Sequence, residues 1–113
     1  MTILSGMERR RHPRVDLNLP AIYRSAHRTM DTYVRNLSQG GLALAAPHVD
    51  LTGTECELLV TLPGRADQLA LHGKIIWIDT STETPTMGFR FDQLSRDQRV
   101  ALANFLLARF YNT

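Results

Sequence analysis

What most constrains this chain is the rhythm of its apolar residues. Short runs with strand-like alternation follow one another at regular spacing, each stopped by a turn signal, and only the last segment changes to helical spacing. The first run lies at roughly residues 19–26 around Ala21-Ile22-Tyr23, and Ala26 to Thr29 reads as a turn. Met30 to Leu37 forms the second run, and Ser38-Gln39-Gly40-Gly41 breaks it, because paired glycines permit backbone angles other residues avoid. Leu42 to Ala45 is a third strand, stopped by Pro47, and Cys56 to Leu62 a fourth, ending at the turn dipeptide Pro63-Gly64. Leu69 to Ile78 follows, with His72, Lys74 and Ile76 on one face, then a polar loop over Thr80 to Thr86. Thr86 to Phe91 is the last strand, where Gly88 marks a bulge or a close backbone approach. Six short, evenly spaced strands predict a small barrel or sandwich.

The tail obeys another period. Ser95-Arg96-Asp97-Gln98 matches a capping box, and Val100, Ala103, Leu106, Leu107 and Phe110 recur at helical spacing, widened by Leu102 and Phe105. This predicts a helix over residues 96–111, with one side closing an end of the barrel and the rest available to a partner. Residues 1–8 carry no apolar period and read as a flexible lead-in, leaving 9–113 as a single domain with its barrel at about 17–92. A length of 113 residues suits one domain, and 43% hydrophobic with 21% charged residues is too apolar for a disordered chain. One cysteine, Cys56, excludes an internal disulfide framework and a multi-thiolate zinc site. No apolar run approaches the roughly 18 residues of a membrane helix, and no secretory leader is visible, so the expected location is cytoplasmic, without membrane insertion.

The net charge is only +2, yet the cations are unusual in kind and place: of 13 Lys plus Arg, Lys74 alone is lysine. Arg9, Arg10, Arg11 and Arg14 crowd one short stretch, which His12-Pro13 holds away from helix. A guanidinium is a planar fork that grips phosphate in two places and stacks on flat rings. Arg10 and Arg14, with Arg9 before them, can converge on a small anion, although a solvated basic tail or a nucleic-acid arm has the same composition. Asn36-Leu37-Ser38-Gln39-Gly40-Gly41 is the second candidate. Its amide and hydroxyl stand two apart at a strand end and suit a purine edge or a ribose-phosphate, and Gly41 lets a ring approach the backbone. A plain turn uses the same residues.

Together, Arg-x-x-x-Arg followed by Asn-x-Ser-x-x-Gly, in a short β-rich chain with a terminal helix, resemble the PilZ domain family from Arg9 to about Phe110, including the Gly88-Phe89 step and Trp77. The resemblance implies a mainly β fold, a six-stranded antiparallel β-barrel with a C-terminal α-helix. It also implies a non-enzymatic receptor for the bacterial second messenger cyclic di-GMP. Arg10 and Arg14 would then bind phosphate and guanine, and Asn36, Ser38 and Gly41 the opposite side of the nucleotide, with Arg11, Gly40 and Trp77 as additional contacts. Arg11 and His12 would support the loop. An asparagine at 36, where many members carry aspartate, offers fewer acceptors to guanine and implies a lower affinity. An arginine directly before the pair, here Arg9, goes with two intercalated nucleotides per chain in similar domains. Trp77 is either a core residue or a stacking surface for the ligand.

On this reading the arginine segment folds over the messenger, and that ordering regulates an unidentified effector protein in motility, exopolysaccharide or biofilm control. Two alternatives stand beside it: a small β-barrel nucleic-acid module, which wants more exposed aromatics than 7% supplies, and a PilZ-like scaffold binding only protein. No nucleic acid is expected as partner. His27, His48 and His72 share no metal-ligand spacing with Cys56, no phosphate loop is present, and nothing supplies a matched acid and base, so neither a metal nor catalysis is expected.

Overall fold

A computed structural model describes residues 14–111, with side chains through Arg109. Arg9, Arg10, Arg11, His12 and the lead-in lie outside the described residues. The chain runs through β1 (Val15–Ser25), β2 (Thr29–Leu37), β3 (Gly41–Ala45), β4 (Glu55–Val60), β5 (Leu69–Asp79), β6 (Thr86–Phe91) and α1 (Arg96–Tyr111). Six antiparallel strands close into a barrel in the order β1-β2-β3-β6-β5-β4, so no sheet edge is left unpaired. Each strand and the helix overlaps the run expected for it, but β1 begins at Val15, four residues before the expected start of the first strand at residue 19, and β4 ends at Val60 rather than Leu62.

Alternation decides which side chains fill the barrel. Tyr23, Leu37, Leu44, Leu58, Leu71, Ile75, Met87 and Phe89 are fully buried, and the Phe89 and Phe91 rings meet edge to face at 5.8 Å. The helix adds Ala101, Leu102 and Leu106 to this core, while Val100 and Leu107 stay half exposed on its other side. Its capping box is formed: Gln98 N donates to Ser95 Oγ at 3.1 Å, and Ser95 N donates to Gln98 Oε1 at 3.0 Å. Gln98 Nε2 also donates to the Ala70 carbonyl at 2.8 Å, which fixes the start of the helix to β5. One residue therefore caps the helix and sets its docking angle.

Three register shifts interrupt the regular pairing: in β1 between Asp16 and Leu19, in β2 between Val34 and Asn36, and in β5 between Ile75 and Trp77. A bulge adds a residue and turns the side chains that follow it. In β5 it leaves both Ile76 and Trp77 outside, at 44% and 40% exposure, so Trp77 is not a core residue. His72 and Ile76 are exposed and Lys74 is half-buried, the face that simple alternation assigns to them.

Away from the turn that follows β2, a polar cluster is buried under the barrel wall. Asp50 is 4% exposed and accepts hydrogen bonds from Tyr23 Oη (2.7 Å), Ser25 Oγ (2.7 Å) and Arg28 Nε (2.9 Å). Burial and its bond to Asp50 push the Tyr23 hydroxyl pKa far up, so Tyr23 remains a neutral donor. Burial also pushes the Cys56 thiol up to about 11, and the side chain behaves as the small buried hydrophobe its isolation in the sequence suggests.

Candidate nucleotide-binding face

The two motif segments, 22 residues apart, meet because β1 and β2 pair antiparallel with Val15 opposite Leu37 and Asp16 opposite Asn36. That register delivers Arg14 to the end of β2, where its Nη1 donates to Asn36 Oδ1 at 2.6 Å. Of the arginine cluster, Arg14 alone is described. It is half-buried rather than waving in solvent.

Beyond Asn36 the chain reverses through Ser38–Gly41. Ser38 N donates to the Gly41 carbonyl at 2.9 Å, Ser38 Oγ donates to the same oxygen at 3.2 Å, and Gly40 N donates to Ser38 Oγ at 3.3 Å. The sequence suggests that the Ser38 hydroxyl projects beside the Asn36 amide. In the structure it is buried and committed to the turn, so its first task is to hold the turn's shape. The Gly40 carbonyl accepts from Phe91 N at 3.0 Å, which ties the turn to the end of β6. Gly41 is required for a reason other than ligand approach, since a Cβ there would collide with the Phe89 carbonyl oxygen on the neighbouring strand.

On the outer surface, one cross-strand row reads Asp16, Asn36, Ala43, Gly88, Trp77 from β1 through β2, β3 and β6 to β5. Ala43 is buried without joining the core cluster, so it is covered from the outside. A Cβ on Gly88 would strike the Trp77 indole ring, which lies flat over that glycine. The row thus carries small residues at Ala43 and Gly88, with an arginine-held amide at one end and an indole packed over Gly88 at the other. The sequence marks Gly88 as a place of close approach. The structure identifies what approaches as a side chain and places the bulge on the strand opposite.

The adjacent outward row carries Gly41, Arg90 and Lys74 directly across β3, β6 and β5. Like charges placed opposite each other on a sheet are unfavourable, and neither Arg90 nor Lys74 has an ion pair among the described residues. With Arg14 they give the face a cationic surround, suited to an anion carrying flat rings. A groove of about 580 Å³ borders the turn, lined by Gln39, Gly40, Phe91, Leu94, Val100 and Ala103, and connects this face to the helix. Among the described residues no cluster of three or more His, Cys, Asp or Glu side chains could hold a metal ion, and no helix is long and apolar enough to cross a membrane.

Asp16, Ala43 and Arg90 were not singled out by the motifs. Their membership of the face follows only from strand register, which local sequence does not specify where bulges intervene. Gly88→Val will test the packing of Trp77 on Gly88 directly. The added methyls must displace the indole, so tryptophan emission should shift to the red and the domain should lose about 1–3 kcal/mol, as overpacked sites do. An unchanged spectrum would show that Trp77 does not rest on Gly88.

This architecture is that of a recognisable class. The profile of the PilZ domain matches residues 8–108, and the chain belongs to that family. No curated protein sequence matches it. Among solved structures it is similar to the inhibitor of motility MotI/DgrA of Bacillus subtilis, with a TM-score of 0.79 and 21% identity over 93% of this chain and 53% of that one. The chain therefore spans about half the length of that relative. It is also similar to the PilZ domain of YcgR from Escherichia coli, solved with c-di-GMP, with a TM-score of 0.74 and 20% identity over 92% of this chain and 93% of that one. The MrkH–c-di-GMP complex of K. pneumonia gives a TM-score of 0.69 and 15% identity over 92% of this chain and 53% of that one. At these identities the likeness is one of fold.

Proposed function

We propose that this protein is a cyclic di-GMP receptor that binds the messenger on the outer face of β2, β3, β6 and β5. The observation that carries the reading is the 2.6 Å bond from Arg14 to Asn36, which joins the last arginine of one motif to the first residue of the other. Cyclic di-GMP presents two phosphodiesters and two purines. The face offers a guanidinium fork, further cations at Arg90 and Lys74, and the partly exposed Trp77 indole, packed on Gly88, as a surface on which a purine can stack. The PilZ domain of YcgR and the MrkH protein, both similar in fold, are described in complex with c-di-GMP.

Arg9 and Arg10 complete the arginine motif, and Arg9 suits stacking between the bases of two intercalated nucleotides, giving two ligands per chain. The Ser38–Gly41 turn touches both this face and the groove against α1, so occupancy there is positioned to alter the surface presented to an effector protein. Regulation of motility, exopolysaccharide or biofilm formation through such a partner, from the cytoplasm and without catalysis, is the output this reading assigns. Calorimetric titration with cyclic di-GMP should give micromolar or tighter binding with two nucleotides per chain. A stoichiometry of one would remove the intercalated pair alone. Absence of binding, with a steeply salt-dependent affinity for single-stranded nucleic acid instead, would replace the reading by the nucleic-acid module.

A further inference from the structure

We propose, resting on the receptor reading above, that Asp16 reads the guanine base of the bound nucleotide. A guanine Watson–Crick edge presents two neighbouring donors, N1–H and the 2-amino group, which a carboxylate accepts side by side through its two oxygens. Asn36 is badly placed to do this, because its one acceptor oxygen is already held by Arg14 at 2.6 Å and its remaining group is a donor.

Asp16 is directly opposite Asn36 in the β1–β2 pair, which puts their Cβ atoms about 4.5–5.5 Å apart on the same face. Val15, Leu17 and Leu19 pack against the core, so Asp16 is exposed on the outer side, at the head of the row that continues through Ala43 and Gly88 to Trp77. Its carboxylate has no side-chain hydrogen bond or ion pair among the described residues.

Two further features set this carboxylate apart from an ordinary solvated side chain. On the side away from Val15 and Leu37, β1 shifts register against β2 just after Asp16 and β2 shifts against β3 just before Asn36, so the Asp16–Asn36 pair borders irregularities of the kind that re-aim side chains beside sites. A negative charge on a face otherwise suited to phosphates repels an anionic ligand unless it meets a donor edge. Guanine supplies two adjacent donors there, whereas adenine sets its one amino donor beside the acceptor N1.

The test compares cyclic di-GMP with cyclic di-inosine monophosphate, which lacks only the 2-amino groups, by calorimetry on the full chain. The wild type should prefer the guanine ligand about tenfold or more, the value of a hydrogen bond to a charged group. Asp16→Asn, isosteric and exposed, should fold normally and bring that preference to within about twofold, while Asn36→Ala should weaken both ligands alike by releasing Arg14. Full preference retained in Asp16→Asn, or a wild type that does not discriminate, would overturn the role of Asp16 and leave the receptor reading intact. A wild type that binds neither ligand would overturn both.

Discussion

Arg14→Ala is expected to lower the affinity for cyclic di-GMP at least a hundredfold. Bidentate, charge-assisted bonds from a guanidinium to a phosphodiester contribute about 1.5–3 kcal/mol each, and a hundredfold change needs only about 2.7 kcal/mol. The substitution also frees Asn36, whose Oδ1 loses its partner and whose side chain then has no fixed orientation toward the ligand. Arg14→Lys separates charge from geometry. An ammonium keeps the attraction to phosphate but lacks the planar fork, so this variant should lie between the wild type and alanine. Because Arg14 precedes β1 and is only half-buried, both variants should melt within a few degrees of the wild type. Titration calorimetry and thermal unfolding on the same samples check the pair of statements. An Arg14→Ala protein that binds as well as the wild type would remove the Arg14–Asn36 corner from the site.

The largest effect on stability is expected at Asp50, far from the motif turn. Its carboxylate satisfies the hydroxyl of Tyr23, which is fully buried, together with Ser25 and Arg28. Asp50→Ala strands a phenol with no water to turn to and leaves a half-buried guanidinium unpaired, a loss of about 3–5 kcal/mol by analogy with other broken buried ion pairs. At about 4–8 °C per kcal/mol for a domain of this size, the melting temperature should fall by more than 10 °C. Tyr23→Phe removes donor and burial cost together and should lose much less.

The same cluster sets an acid limit. Burial alone would push the Asp50 carboxyl up, but the bonds from Tyr23 and Ser25 and the charge and bond of Arg28 outweigh it, and its pKa lies below the usual 3.8. A carboxyl depressed by folding contributes stability that is complete above its unfolded value of about 3.9 and is lost as pH falls through the folded one. Asp67 and Asp79 are depressed too, by a hydrogen bond from Arg65 and by one from Ser81, but both are fully exposed and remain in the Asp50→Ala variant. The difference between wild-type and Asp50→Ala stability, followed by urea unfolding from pH 6 to pH 2.5, should therefore be constant above about pH 5 and shrink below pH 4. A difference that stays constant to the lowest pH would mean that Asp50 is not held ionised by this cluster.

Much of this was legible in the sequence because the relevant forces are local. Apolar alternation, Pro63-Gly64, the paired glycines after Ser38 and the Ser95–Gln98 capping box each act within a few residues, and each element overlaps the run those signals mark, with only the start of β1 well outside it. The motif pairing of Arg14 with Asn36 was legible through the family resemblance. Its geometry came only from the β1–β2 register. Bulges account for most of what was not legible. Alternation carried past Ile75 cannot say which way Trp77 points, because the extra residue in β5 reverses the count there. Ser38 shows a different limit: a hydroxyl beside two glycines can serve a ligand or its own turn, and here it bonds to Gly40 and Gly41. The Tyr23–Asp50 bond joins residues 27 apart with no local pattern at either end, so only the closed barrel reveals it.

The decisive observable is where the nucleotide lies on the barrel. Titrating isotopically labelled protein with cyclic di-GMP and following backbone amide and tryptophan indole resonances reports this residue by residue. The predicted result is a contiguous set of shifts at Arg14, Asp16, Asn36, Gly41, Ala43, Gly88 and Arg90, with the Trp77 indole N–H among the largest. Shifts confined to the groove beside α1 or to the Asp50 side of the barrel, or a spectrum unchanged at millimolar nucleotide, would contradict it.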